Sequence, residues 1–157
     1  MCIRDRRLEA EAIRDGMLSV AGTLDRRMGG QGFHLFDVDR ENVVHYHAKD
    51  ETGPAEWRRM IYLFKIRQEQ DAVFGSFDCP DGNQVIPTRS RSTTPLQALN
   101  LFNSRFTMQQ AQKLAERLGA HGDRVPQTYE LLYNRPATSD EITDAEKFIE
   151  DHNFLAF

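Results

Sequence analysis

Three features of this 157-residue sequence predict a mainly α fold: a helical domain with a long irregular middle segment and one or two short strands. Apolar residues recur at helical spacing near the start. Helix start and stop signals follow one another after residue 93. Between these two regions glycine and proline interrupt every pattern. One domain is the default at this length, which is enough to bury a core without disulfides.

The first helix is predicted over residues 6–26. Leu8, Ala12, Ile13, Met17, Val20, Ala21 and Leu24 form its apolar stripe, with Arg7, Glu11, Arg14 and Asp15 opposite. Arg14 is within i,i+3 reach of Glu11. Gly16 and Gly22 weaken the helix and are expected to mark a tight contact with a neighbour. Residues 1–5 precede it without a cap signal and resemble a leader that recurs in metagenome-derived reading frames. They are read as non-native, leaving one domain over 6–157 that is expected to be truncated at both ends.

Residues 28–93 are expected to be loops with short strands. "NVVHYHAK" alternates as a strand does, and "WRRMIYLFKIR" suggests a helical turn running into an extended segment. The stretch from 71 to 93, broken by Pro80, Gly82 and Pro87, is long for a structureless loop and so is either functional or an extended cover.

Helices are predicted over 94–118, 124–134 and 139–151. Thr94, Pro95 and Gln97 supply an N-cap, a first-turn proline and a capping box. Leu96, Leu99 and Phe102 are expected to face inward, and Asn103 is a point where the helix ends or bends. Phe106, Ala111, Leu114, Ala115 and Leu118 form the next stripe, stopped by Gly119. Asp123 is the expected cap of a helix burying Val125, Tyr129, Leu132 and Tyr133, which ends at Arg135-Pro136. Thr138 and Glu141 form a second capping box.

The formal net charge of −4 excludes a generally basic nucleic-acid footprint. Arg58, Arg59, Lys65 and Arg67, and again Arg89 and Arg91, form local cationic clusters best read as solvated charge. Cys2 and Cys79 are too few for a cysteine zinc cluster and form no C-x-x-C pair. No apolar run approaches the roughly 20 residues that span a bilayer, and residues 1–20 hold no signal peptide.

Candidate chemistry is sparse. His45 and His47 share a strand face and form a weak metal candidate with His34 or Asp37. Asp37, Asp39 and Glu41 start like a calcium loop, but Asn42 stands where glycine belongs and Ala48 where a bidentate glutamate belongs. No nucleophile elbow or phosphate-binding glycine loop occurs. Glu11, Arg14, Asp15, Arg58, Arg59, Asp78, Arg89 and Arg91 form a candidate polar network, structural in the simplest account. Arg89 and Arg91 precede a helix start, where the dipole disfavours cations, so they need an acidic partner, Asp78 or Asp15.

Three motifs in order, "RRLEAEAIRDGMLSVAGTLDRRMGG", "WRRMIYLFKIRQ…FDCPD" and "RSRSTTPLQALNLFNSRF", followed by "LYNRPATSDEI", carry a family resemblance from Arg6 to about Ile149. They resemble the C-terminal domain of unknown function of planctomycete-type, cytochrome-c-associated exported proteins. The resemblance implies a periplasmic or secreted protein, and a fragment of a longer chain whose other modules can carry haem c. It implies no cofactor in this chain and transfers no catalytic residue. The expected function is therefore scaffolding or partner binding, the partners being the missing domains of the same polypeptide, a polysaccharide or an exported protein. The alternatives are a carbohydrate-active or ester-cleaving site near 71–93, built by Arg14, Asp15, Arg59, Asp78 and Arg91, and a docking partner for haem c modules.

Overall fold

The computed structural model describes residues 7–40, 43–67, 69, 71, 73–80, 82–83, 85–119 and 123–152, so the expected leader at 1–5 lies outside the described residues. The elements are helix α1 (Ala10–Ala21), strands β1 (Phe36–Arg40) and β2 (Val44–Ala48), 3-10 turns at Met60–Tyr62 and Phe74–Phe77, and helices α2 (Pro95–Asn103), α3 (Arg105–Leu118), α4 (Arg124–Tyr133) and α5 (Ser139–His152). The fold is mainly α, with one two-stranded antiparallel sheet among the described residues.

Helix α1 is the centre, packed on α3 and on both 3-10 turns. Its buried face is Ala10, Arg14, Leu18 and Ala21. This corrects the predicted stripe, because Leu8 and Ala12 are exposed while Arg14 is sealed completely. The rotation follows from Arg14: its guanidinium stacks 5.0 Å from the Phe33 ring and 5.4 Å from the Phe106 ring, and its alkyl stem goes inward with them. Gly16 meets nothing, so it marks no tight contact. Gly22 does: it ends α1 in the left-handed conformation (φ 77°), and a Cβ there would lie 3.1 Å from the Arg117 side chain of α3.

The principal core cluster joins Ala10 to Met60, Phe74, Phe77 and Cys79, with Ile13, Leu63, Leu101 and Phe106 packed against it. Residues 25–33 run beside 58–63, joined by bridges at Asp25–Arg58 and Phe33–Leu63. The stretch around Met60 is thus a helical turn leading into extended chain, because Leu63 returns to extended geometry to pair with Phe33.

Helix α2 begins as its residues dictate. Thr94 Oγ1 accepts a hydrogen bond from the Gln97 amide, and Gln97 Oε1 accepts one from the Thr94 amide. The predicted 94–118 stretch is two helices, because Ser104 is extended (φ −71°, ψ 141°) and caps α3 instead. The expected inward face of α2 is also corrected. Leu96, Leu99 and Phe102 are 56%, 56% and 81% exposed. Gln97 and Leu101, one turn apart, face the core, since Gln97 Nε2 donates to Ser76 O and Ser92 Oγ. Thr94→Ala should lower the unfolding free energy by about 1 kcal/mol in a urea melt; an unchanged midpoint would show that the cap carries no stability.

Helix α4 packs on α3 and α5. Asp123 stands at its start without a capping bond, because its backbone (φ −100°, ψ 25°) is not the extended form that capping uses. Val125 and Thr128 are buried, whereas Leu132 and Tyr133 are exposed, so the expected buried side is only half realised. Asn134, left-handed at φ 52°, ends the helix before Arg135-Pro136. Thr138 and Glu141 cap α5 reciprocally. Arg135, 2.6 Å away, and then the Thr138 amide hold the half-buried Glu141 carboxyl down at about 2.

Candidate functional site

The eight residues of the expected polar network separate into three clusters. In the first, Arg14 donates to the backbone carbonyls of Arg58 (2.8 Å) and Glu56 (2.6 Å). Asp15 accepts from the Met60 amide at 2.8 Å and stands 3.7 Å from Arg14. The pair therefore staples α1 to the 56–60 segment from both sides. Burial, opposed first by Asp15 and then by Asp71, lowers Arg14 to about 10, so it remains a cation at neutral pH. Burial likewise raises the Asp15 carboxyl, against the Met60 amide and Arg14. Glu11, expected within reach of Arg14, faces elsewhere, because Arg14 turns into the core.

Arg58 extends this cluster. It is buried, reaches the carbonyls of Gln31, Gly29 and Arg27, and lies 4.2 Å over the Tyr62 ring. Tyr62 Oη accepts from the Gly29 amide, which fixes the "MGGQG" loop. Arg59 also lies over this ring, 5.7 Å from its centre. The cations beside the aromatic run are thus backbone ties and ring contacts.

The second cluster is centred on Asp78. Its carboxylate takes an ion pair from Arg7 (2.7 Å) and hydrogen bonds from the Ser92 amide (2.8 Å) and hydroxyl (3.0 Å). Arg7 Nε also donates to Ser92 O, and Gln97 donates to Ser92 Oγ. Asp78 itself is left-handed at φ 58°, a conformation that aspartate tolerates better than most residues. The Ser92 amide, with further help from the Ser92 hydroxyl and Arg7, holds the carboxyl below its ordinary range despite burial. The third cluster gives Arg89 and Arg91 their acidic partners. Arg89 pairs with Glu9 (3.1 Å) and Glu11 (2.9 Å), and Arg91 with Glu9 (3.2 Å). The expected partners, Asp78 and Asp15, are already committed to Arg7, Ser92 and Met60.

The five residues proposed for an enzymatic site do not converge: Arg14 and Asp15 pair with each other, apart from Asp78 and Arg91. No hydrogen bond or ion pair among the described residues joins Asp78 to Arg14, Asp15, Arg59 or Arg91. Near Asp78, Cys79 is buried and receives a contact from Lys65 Nζ at 3.0 Å; burial raises its thiol, which Lys65 counteracts. His45 and His47 sit opposite Asp39 and Asp37 on one exposed face of the hairpin. Among the described residues no three such side chains are placed to hold a metal ion. Glu41 of the calcium-like run lies outside the described residues.

Sequence patterns did not point to a cleft of about 450 Å³ between the β1–β2 hairpin, the residues Asp71, Val73 and Phe74, and the α2–α3 corner. Phe36, Phe74, Phe106, Asp71 and Asn103 line it, with Arg14 in the floor. Asp71 Oδ1 accepts from the amides of Val73 and Phe74, an Asx-type turn that a run such as "QDAVF" signals only faintly. Arg7 and Ser92, the partners of Asp78, were likewise not singled out by pattern.

The family model described as PSD1, protein of unknown function (DUF1553), matches residues 2–149. No curated protein and no solved structure matches this chain.

Proposed function

This chain belongs to the PSD1 family of proteins of unknown function (DUF1553), and we propose that it is a non-catalytic helical module that docks a protein partner. The observation that carries this reading is the outward stripe of α2. Leu96, Leu99 and Phe102 repeat every third residue on one exposed face of a helix whose start is locked by its capping box. Aligned exposed apolar side chains of this size mark interaction surfaces more often than isolated ones do. The charged groups support the same reading, because Arg14, Arg58 and Asp78 are spent on internal ties.

The motif resemblance extends the proposal. The module then serves a planctomycete-type exported protein, outside the cytoplasm, and its first partner is another domain of the same polypeptide, with haem c carried elsewhere in that polypeptide. None of the helices described here is long and apolar enough to cross a membrane.

Chymotrypsin cleavage after Phe102 tests the docking surface. Cleavage should be rapid in this chain and suppressed in the complete polypeptide, and Leu96→Glu with Leu99→Glu, which keeps Phe102 as the cleavage site, should restore it there. The same double variant should change the stability of this chain by no more than about 0.5 kcal/mol. Equal cleavage in both contexts would sink the proposal.

A further inference from the structure

We propose that the cleft beside the hairpin binds one neutral, hydroxyl-rich ring, a saccharide unit. This goes beyond the docking role of α2; of that stripe Leu99 borders the cleft, while Leu96 and Phe102 do not line it. The volume, about 450 Å³, falls in the range of small-molecule sites. The chemistry of the surface selects the ligand. Arg14 is sealed beneath the rings of Phe33 and Phe106, so an anion entering the cleft finds no guanidinium to pair with. The rim cations are engaged as well, Lys49 with Glu56 at 2.8 Å and Arg105 with Asp50 at 2.9 Å.

What the cleft presents is Asp71, whose Oδ2 accepts no hydrogen bond among the described residues, and the Asn103 amide on the α2–α3 corner. A hydroxyl group donates to the first and either donates to or accepts from the second. The Arg14 charge under the floor repels a cationic ligand. Phe36 and Phe106 supply apolar area for the C–H face of a ring, and Phe74, itself buried, backs Phe106 edge-to-face at 5.4 Å. Carboxylate, amide and aromatic area together suit a polyhydroxylated ring better than an ion or a purely apolar ligand.

Saturation-transfer NMR on this chain tests the assignment, using glucose, galactose, xylose and their methyl glycosides as neutral probes, with acetate, sulfate and glycine as charged ones. At least one saccharide should bind. Asn103→Ala and Phe36→Ala should each weaken it about tenfold. Asp71→Asn, which keeps the oxygen that the Val73 and Phe74 amides need, should weaken it similarly while the fold persists by circular dichroism. Leu96→Glu with Phe102→Glu should leave binding unchanged, which separates this site from the docking stripe. Binding of only the charged probes, saccharide binding indifferent to Asn103 and Asp71, or no saccharide binding by the folded chain at tens of millimolar overturns it.

Discussion

Replacing Arg14 with alanine should lower the unfolding free energy by about 3–5 kcal/mol, a large share of the roughly 5–15 kcal/mol typical of a domain. The substitution leaves the carbonyls of Glu56 and Arg58 without their donors inside the protein, at about 1–3 kcal/mol each. It also empties the slot between Phe33 and Phe106. Two controls separate these contributions. Arg14→Met refills most of the apolar slot but donates nothing, so it should recover only the packing share. Arg14→Lys keeps the charge, yet a single ammonium cannot reproduce the planar fork that reaches both carbonyls, and it should fall between parent and alanine. Urea denaturation reads all three as midpoint shifts at constant slope. If Arg14→Met melts with the parent, the two carbonyl bonds carry no net stability and the staple does not exist.

The Arg14 example also shows which parts of the fold were legible in sequence. The helix starts at Thr94 and Thr138 were, because capping is settled within four residues and needs nothing from the rest of the chain. The hairpin strand through His45 and the turn at Met60 were legible for the same local reason. Which face of a helix turns inward was not. Apolar periodicity assumes that the core takes apolar residues, whereas α1 buries Arg14 and α2 buries Gln97. Both side chains go inward because backbone carbonyls wait for them, at Glu56, Arg58 and Ser76, and a carbonyl leaves no mark in side-chain pattern. The candidate network was read as a set of charges seeking opposite charges. Arg14 and Arg58 instead bond mainly to main chain, and Arg89 and Arg91 pair with Glu9 and Glu11 because Asp78 and Asp15 are taken by Arg7, Ser92 and the Met60 amide. The cleft was illegible because its walls come from segments far apart in sequence.

Asp78→Ala should destabilise the protein by about 2–3 kcal/mol, and the loss should depend on pH. The carboxylate ties the start of the chain to the end of the irregular segment, since Arg7 and Ser92 meet only through it and through the Arg7 bond to Ser92 O. Its side chain is 18% exposed, which keeps the expected loss below that of a sealed ion pair. The Ser92 amide is the chief cause that holds its folded-state pKa below the ordinary carboxyl value. A depressed acid contributes fully above its unfolded pKa, near 4, and loses that contribution as pH falls through the lower folded value. The difference between parent and Asp78→Ala should therefore be constant from about pH 7 to 5 and shrink below about pH 4. Asp78→Asn keeps an acceptor oxygen and tolerates the left-handed backbone at φ 58°, so it should cost less than alanine and show no such acid dependence. Asp78→Gly relieves the backbone while removing the acceptor. If it matches alanine in stability, the carboxylate bonds dominate; if it is markedly more stable, strain at this position accounts for part of the alanine loss. A pH-independent difference between parent and Asp78→Ala would refute the ion pair as the source of that stability.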